Sequence, residues 1–260
     1  MQQDDKKKAP LLEFAYLRSI DQFLEEVNAI AMKENWNYTH THSPYLFPIL
    51  WKYLNHTFMR LQEQGKISTS GDFLCFNTGL VTDHQQEIFA IFKQSDKGVA
   101  FIKFCNESDN AMGYYASLPA RATYFDDPAD LIFDHRLDFR VKIDHIIDDE
   151  VNFARFPPDI QKLTKHQLVN TFNGALAHAR KRANRNYKTA IPQFYRGQYV
   201  AQGQLQLLLP MCLKEPAKAD LALAIFKEKG FYSGRTCLTL DMAINNARLI
   251  AKPDEEWLKP

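Results

Sequence analysis

The chain has 260 residues, 45% of them apolar and 24% charged, with a formal net charge of +1. That is the composition of a globular protein able to bury a substantial core, as one large domain or two small ones. No apolar run reaches the ~20 residues that span a bilayer, and Met1 to Lys8 is polar with no apolar signal segment behind it, so a cytoplasmic protein without a membrane partner is expected. The four cysteines, Cys75, Cys105, Cys212 and Cys237, are far apart in apolar surroundings and read as buried free thiols.

The N-terminal part reads as helical. From Pro10, Leu12, Leu17, Ile20, Leu24, Val27 and Ala31 recur at helical spacing; a second amphipathic run follows from Leu46 to Leu61, with Gly65 as its stop. His40 and His42 between them are read as part of a polar connection. The period then shortens. Phe73 to Phe76, Glu87 to Phe92 and Val99 to Phe104 are aromatic and aliphatic runs, and Gln94 to Gly98 joins the last two as a hairpin.

An acidic stretch follows, interrupted by Pro119 and Pro128 and closed by Pro157 and Pro158. It reads as loop and short helix. A long helix is expected to begin near Asp159, its apolar stripe running through Leu168, Phe172, Ala175, Ala179 and Ala183. Leu205 to Leu209, Leu221 to Phe226 and Phe231 to Thr236 read as strands, the last two joined as a hairpin; Thr239 starts a final helix that Pro253 closes. The expected fold is α+β, with antiparallel hairpins flanked by helices. A helical segment, residues 1–66, should precede an α+β core domain, residues 67–260.

Charge is distributed unevenly along this near-neutral chain. Asp126 to Glu150 holds nine acids, whereas Ile160 to Lys214 holds none and carries Lys162, Lys165, Arg180, Lys181, Arg182, Arg185, Lys188, Arg196 and Lys214. Such asymmetry points to an anionic partner, nucleic acid above all. On a helical wheel His178, Lys181, Arg182, Arg185 and Lys188 share one polar face, because they step by three and four. Asn184, Asn186, Tyr187, Gln193, Tyr195, Arg196, Gln198 and Tyr199 follow, amides that pair with base edges or phosphates and rings on which bases stack. The plain alternative is a solvated helix end whose cations complement the helix dipole, though one or two cations suffice for that.

Three stretches, Phe76 to Leu80, Gly174 to Lys188 and Arg235 to Ile250, resemble the bacterial family called domain of unknown function 3825, from about residue 70 to the C-terminus. Members of that family are joined to cold-shock, LOTUS-type or NYN-nuclease modules. The resemblance therefore implies work on RNA. No appended module of those kinds is evident in this sequence.

Asp241, Asn245 and Arg248 share a face of the final helix, with Arg235 supplied from the preceding strand. Such a set can clamp a phosphate, with Asp241 as base or as a brace for an arginine, or it can be a surface pair worth a few tenths of a kcal/mol. Asn77 and Thr78 at a strand end can hydrogen-bond a ligand that Gly79 lets approach, although a tight turn explains them equally.

The leading expectation is an RNA-binding or RNA-processing protein, with RNA or a nucleotide as partner. Its phosphate and nucleic-acid site would comprise Asn77, His178, Lys181, Arg182, Arg185, Lys188, Gln193, Tyr195, Arg196, Arg235, Asn245 and Arg248, with His178 and Asp241 as catalytic candidates. A second reading is a metal-dependent nucleotide or phosphoester hydrolase holding Mg²⁺ or Mn²⁺ on Asp134, His135 and Asp144, residue types that serve such chemistry. Their spacing matches no metal motif, and loop acids explain them too. A third is a protein-interaction scaffold built on Phe14, Phe23, Trp36, Tyr45 and Trp51.

Overall fold

A computed structural model of the chain describes residues 9–37, 44–196, 203–253 and 256–258. The chain divides into two compact units, Met1–Thr123 and Tyr124–Pro260.

In the first unit, helices α1 (Pro10–Phe14), α2 (Ile20–Ile30) and α3 (Pro48–Glu63) accompany a four-stranded antiparallel sheet. Its strands, β1 (Ser68–Ser70), β2 (Phe73–Val81), β3 (Glu87–Ser95) and β4 (Gly98–Asn106), lie side by side in chain order. The apolar run that suggested one N-terminal helix is two. Between them the Tyr16 N–H donates to the Val99 carbonyl at 2.8 Å and the Tyr16 carbonyl accepts from Phe101 at 3.1 Å, so the chain lies along β4 before Ser19 caps α2. Aromatic side chains fill the space between helices and sheet. Phe14 meets Phe58 at 4.7 Å between ring centroids, Phe58 meets Phe76 at 5.4 Å, and Phe76 meets Phe92 at 5.5 Å. A boundary after residue 66 would strip α3 from the strand it covers, so the compact unit runs on to Thr123.

The second unit contains β5 (Asp138–Val141), α4 (Ile143–Asp148), α5 (Glu150–Phe153), α6 (Lys165–Arg185), β6 (Ile191–Tyr195), β7 (Gln204–Met211), β8 (Leu221–Glu228), β9 (Phe231–Leu238) and α7 (Leu240–Arg248). The strands form one sheet in the order β5-β9-β8-β7-β6, antiparallel except where β5 runs parallel to β9. Alternation along the strands separates its faces. Leu207, Leu209, Leu223 and Ile225 pack with Phe172, Ala175 and Ala179 of α6. Gln206 points the other way, and so does its register partner Gln193, which Asn246 of α7 reaches by hydrogen bond; α7 therefore covers the opposite face.

Local chemistry accounts for three departures from the expected elements. Helix α6 starts at Lys165 rather than near Asp159, because Thr164 and Gln167 form a capping box, whereas Asp159 heads only the 3-10 turn Ile160–Lys162 and caps nothing with its side chain. Strand β6 was hidden by Pro192, which an edge strand tolerates. Strand β5 is four residues long inside the acidic stretch and pairs only with β9. No helix among the described residues is long and apolar enough to cross a membrane.

Candidate nucleic-acid interface

The acid-free stretch divides when its cations are placed one by one. Lys165 is bound to Asp148 at 2.7 Å, and Lys214 lies 3.5 Å from Asp220 and 3.9 Å from Asp159. Arg180 stands over the Phe139 ring at 5.2 Å, and half-buried Arg182 directs Nη1 to the Cys212 sulfur at 3.9 Å. At the C-terminal end of α6, Lys181 and Arg185 are exposed, one turn apart, with His178 exposed a turn before Lys181. No salt bridge joins Lys181, Arg185 or Lys188 to a carboxylate among the described residues.

Lys188 is not on the helix with them. Helix α6 ends at Arg185, and the Asn186 carboxamide accepts the Lys188 N–H at 3.1 Å to cap a 3-10 turn, Tyr187–Thr189. That turn carries Lys188 and Tyr187 to the rim of a surface groove of about 230 Å³. Ala190 and, at the start of β6, Ile191 and Pro192 line it, together with Ala247 of α7 and Ala251 just past that helix. Leu131 and Ile132 add aliphatic side chains, and Lys252 is a second cation. The turn is held down from below, where the Trp257 indole donates to the Thr189 carbonyl at 3.0 Å. Of these residues Tyr187 and Lys188 were legible in the sequence; Ile132 and Lys252 lay unnoticed in segments far from α6.

The expected amides serve the fold instead. Gln193 is 0% exposed; its Nε2 donates to Gln206 at 2.8 Å and its Oε1 accepts from Asn246 at 3.1 Å. Asn77, in the first unit and also fully buried, donates to Glu87 at 2.9 Å and to the Pro119 carbonyl at 3.0 Å, and accepts the Gly79 N–H at 2.9 Å. Neither side chain is presented to a surface ligand, because both are fully buried and bonded to internal partners. Asn245 is buried on α7 and returns its Nδ2 to the Asp241 carbonyl at 2.6 Å; the Asn245 Oδ1 and Asp241 Oδ1 are buried without a donor in the structure. Exposed Arg235 lies over the Phe226 ring and 3.7 Å from Glu228, outside the groove. The catalytic candidates are therefore of different kinds, with His178 on the solvent side of α6 and one carboxylate oxygen of Asp241 buried on α7.

Tyr195 ends β6, half-buried, with exposed Arg196 next in the chain. Arg248 closes α7. Gln198 and Tyr199, like His40 and His42, lie outside the described residues.

The expected metal ligands do not assemble. Arg136 donates from Nε and Nη2 to the two Asp134 carboxylate oxygens at 2.8 Å each, and its backbone N–H adds a third bond at 3.0 Å. These bonds hold the Asp134 carboxyl well below the usual carboxylate range. His135 and Asp144 are exposed, and among the described residues no three His, Cys, Asp or Glu side chains gather where they could hold a metal ion. The rings behind the scaffold reading are largely core: Phe23, Trp36 and Trp51 are buried, Phe14 packs on Phe58, and half-buried Tyr45 packs on Trp51 at 5.4 Å.

Fold and surface together define a two-unit α+β protein with a cationic helix end beside an apolar groove. The family model described as a domain of unknown function, DUF3825, matches residues 27–257, and the chain belongs to that family. The match starts inside α2, well before residue 70, and so takes in part of the helical N-terminal region as well as both sheets. No curated protein and no solved structure matches the chain.

Proposed function

We propose that this protein binds RNA in single-stranded form, through the C-terminal end of α6 and the turn that follows it. The observation that carries the reading is the set Lys181, Arg185 and Lys188: three exposed cations, left without a carboxylate among the described residues while other cations of the same stretch are paired or stacked. A helix C-terminus gains from one or two cations, so the dipole leaves part of this charge unexplained. Phosphates answer it, because each neutralised phosphate releases condensed counterions.

Single strands suit the surface better than duplex. An apolar groove with a half-exposed tyrosine offers nothing to a paired, stacked helix, whereas unstacked bases are recognised by such rings. The four cysteines stand as free thiols, which fits work in a reducing compartment such as the cytoplasm.

Fluorescence anisotropy of a labelled oligouridylate tests the reading. Lys181→Glu combined with Arg185→Glu should weaken binding by at least about tenfold at low salt, since both charges are reversed on the proposed phosphate track. Equal affinity of variant and wild type would remove α6 from the interface.

A further inference from the structure

We infer that the groove beside Tyr187 is a subsite for one unstacked nucleobase, flanked on both sides by phosphates; this rests on the RNA-binding reading and extends it. Size is the first constraint on the occupant. At about 230 Å³ the groove falls below the ~300–1,000 Å³ of pockets that enclose drug-sized ligands, so it takes a single planar ring system and leaves the rest of a nucleotide outside.

Its lining is mostly aliphatic, and the cations that line it are exposed. Ile132, Pro192 and Ala247 supply aliphatic surface with no side-chain donor or acceptor, and Tyr187, 55% exposed, supplies an aromatic ring at the open side. Lys188 and Lys252 are the charged residues on its described lining, and among the described residues no carboxylate lines the groove. A ligand that matches this pattern is flat and apolar in the middle with negative charge on its flanks. A nucleobase between two phosphodiesters has that form, and an apolar peptide side chain lacks the flanking anions.

The position agrees with the cationic track. Lys188 follows Arg185 by three residues, and the Asn186 cap turns the chain between them, so a backbone held by Lys181 and Arg185 is led to the groove mouth where Lys188 stands. Ile132, Pro192 and Ala247 offer no side-chain hydrogen bond, and the Tyr187 hydroxyl and the two lysines are the polar side chains on the described lining, so the subsite stacks a base with little reading of which base it is.

The test compares two labelled single strands of equal phosphate number, an oligouridylate and the same backbone made of abasic spacers. Wild-type protein should bind the oligouridylate about tenfold more tightly than the abasic strand, the order of one stacked base. Tyr187→Ala should abolish that difference and leave abasic binding unchanged, and Ala251→Phe, which fills the groove without touching α6, should do the same. Equal wild-type affinity for the two strands, still sensitive to Lys181→Glu and Arg185→Glu, overturns the base subsite, keeps the phosphate track and leaves the groove to another apolar occupant. Binding of neither strand overturns both.

Discussion

The carboxamide of Asn246 donates from Nδ2 to Oε1 of Gln193 at 3.1 Å, tying the sheet-facing side of α7 to strand β6. Gln193 passes the bond on to Gln206 at 2.8 Å, so half-buried Asn246 and two buried glutamines form one chain of amides. Gln193→Ala strands the Asn246 donor and the Gln206 acceptor. A loss of about 1–3 kcal/mol in unfolding free energy is expected, with oligouridylate affinity unchanged. Denaturant titration beside anisotropy checks both halves; a stable variant that no longer binds would return Gln193 to the interface.

Gly79 offers a similar contrast in the first unit. Its φ of +73° lies in the left-handed region, and a Cβ there would stand 2.5 Å from the Tyr53 hydroxyl. The glycine admits a tyrosine of the protein's own core, where the sequence suggested an approaching ligand. Gly79→Ala should cost upwards of about 1–2 kcal/mol, the conformational penalty alone before any clash. Pairing it with Tyr53→Phe, which removes the clashing oxygen, should recover part of that loss in a double-mutant cycle. Strict additivity of the two changes would contradict the contact.

These cases mark the limit of legibility. Hairpins β3–β4 and β8–β9 were readable, because each couples aromatic or aliphatic runs through a short polar turn, and α7 was readable from the Thr239 cap. The α6 stripe was readable as well, since Leu168, Phe172, Ala175, Ala179 and Ala183 recur with the helical period and are buried. Amides carry no such signal. Gln193 and Asn77 have the composition of a binding site, and only burial reveals that their partners are internal. The groove was invisible for a different reason, because Ile132, Tyr187 and Lys252 come from three separate segments that the sheet and its helices bring together. The start of α6 was misplaced because Asp159 is a good cap by residue type, while the box formed by Thr164 and Gln167 is a better one by geometry.

The buried thiols give the unit an alkaline weakness. Burial pushes the Cys237 thiol from its ordinary 9.0 up to about 12, against a smaller opposing pull from Arg155. Above about pH 9 the unfolded chain has released this proton while the folded chain still holds it. Stability must therefore fall as pH rises from 9.0 towards about 12. Cys237→Ala should lower stability below about pH 9, because Cys237 lies in the α6 core, yet flatten the decline between about pH 9 and about pH 10.5. Melting temperatures across that range provide the check, and an unchanged decline would assign it to other groups.

The salt dependence of RNA affinity is the decisive measurement for the α6 end. For a single strand, the slope of log K against log salt is about −0.7 per phosphate neutralised, so a track that includes Lys181, Arg185 and Lys188 predicts a wild-type slope of about −2 or steeper. Neutralising two of its members, with Lys181→Gln and Arg185→Gln, should make that slope shallower by about 1.4 while leaving the melting temperature in place. A wild-type slope near zero, or a slope identical in the variant, would contradict the assignment of the α6 end to phosphate binding.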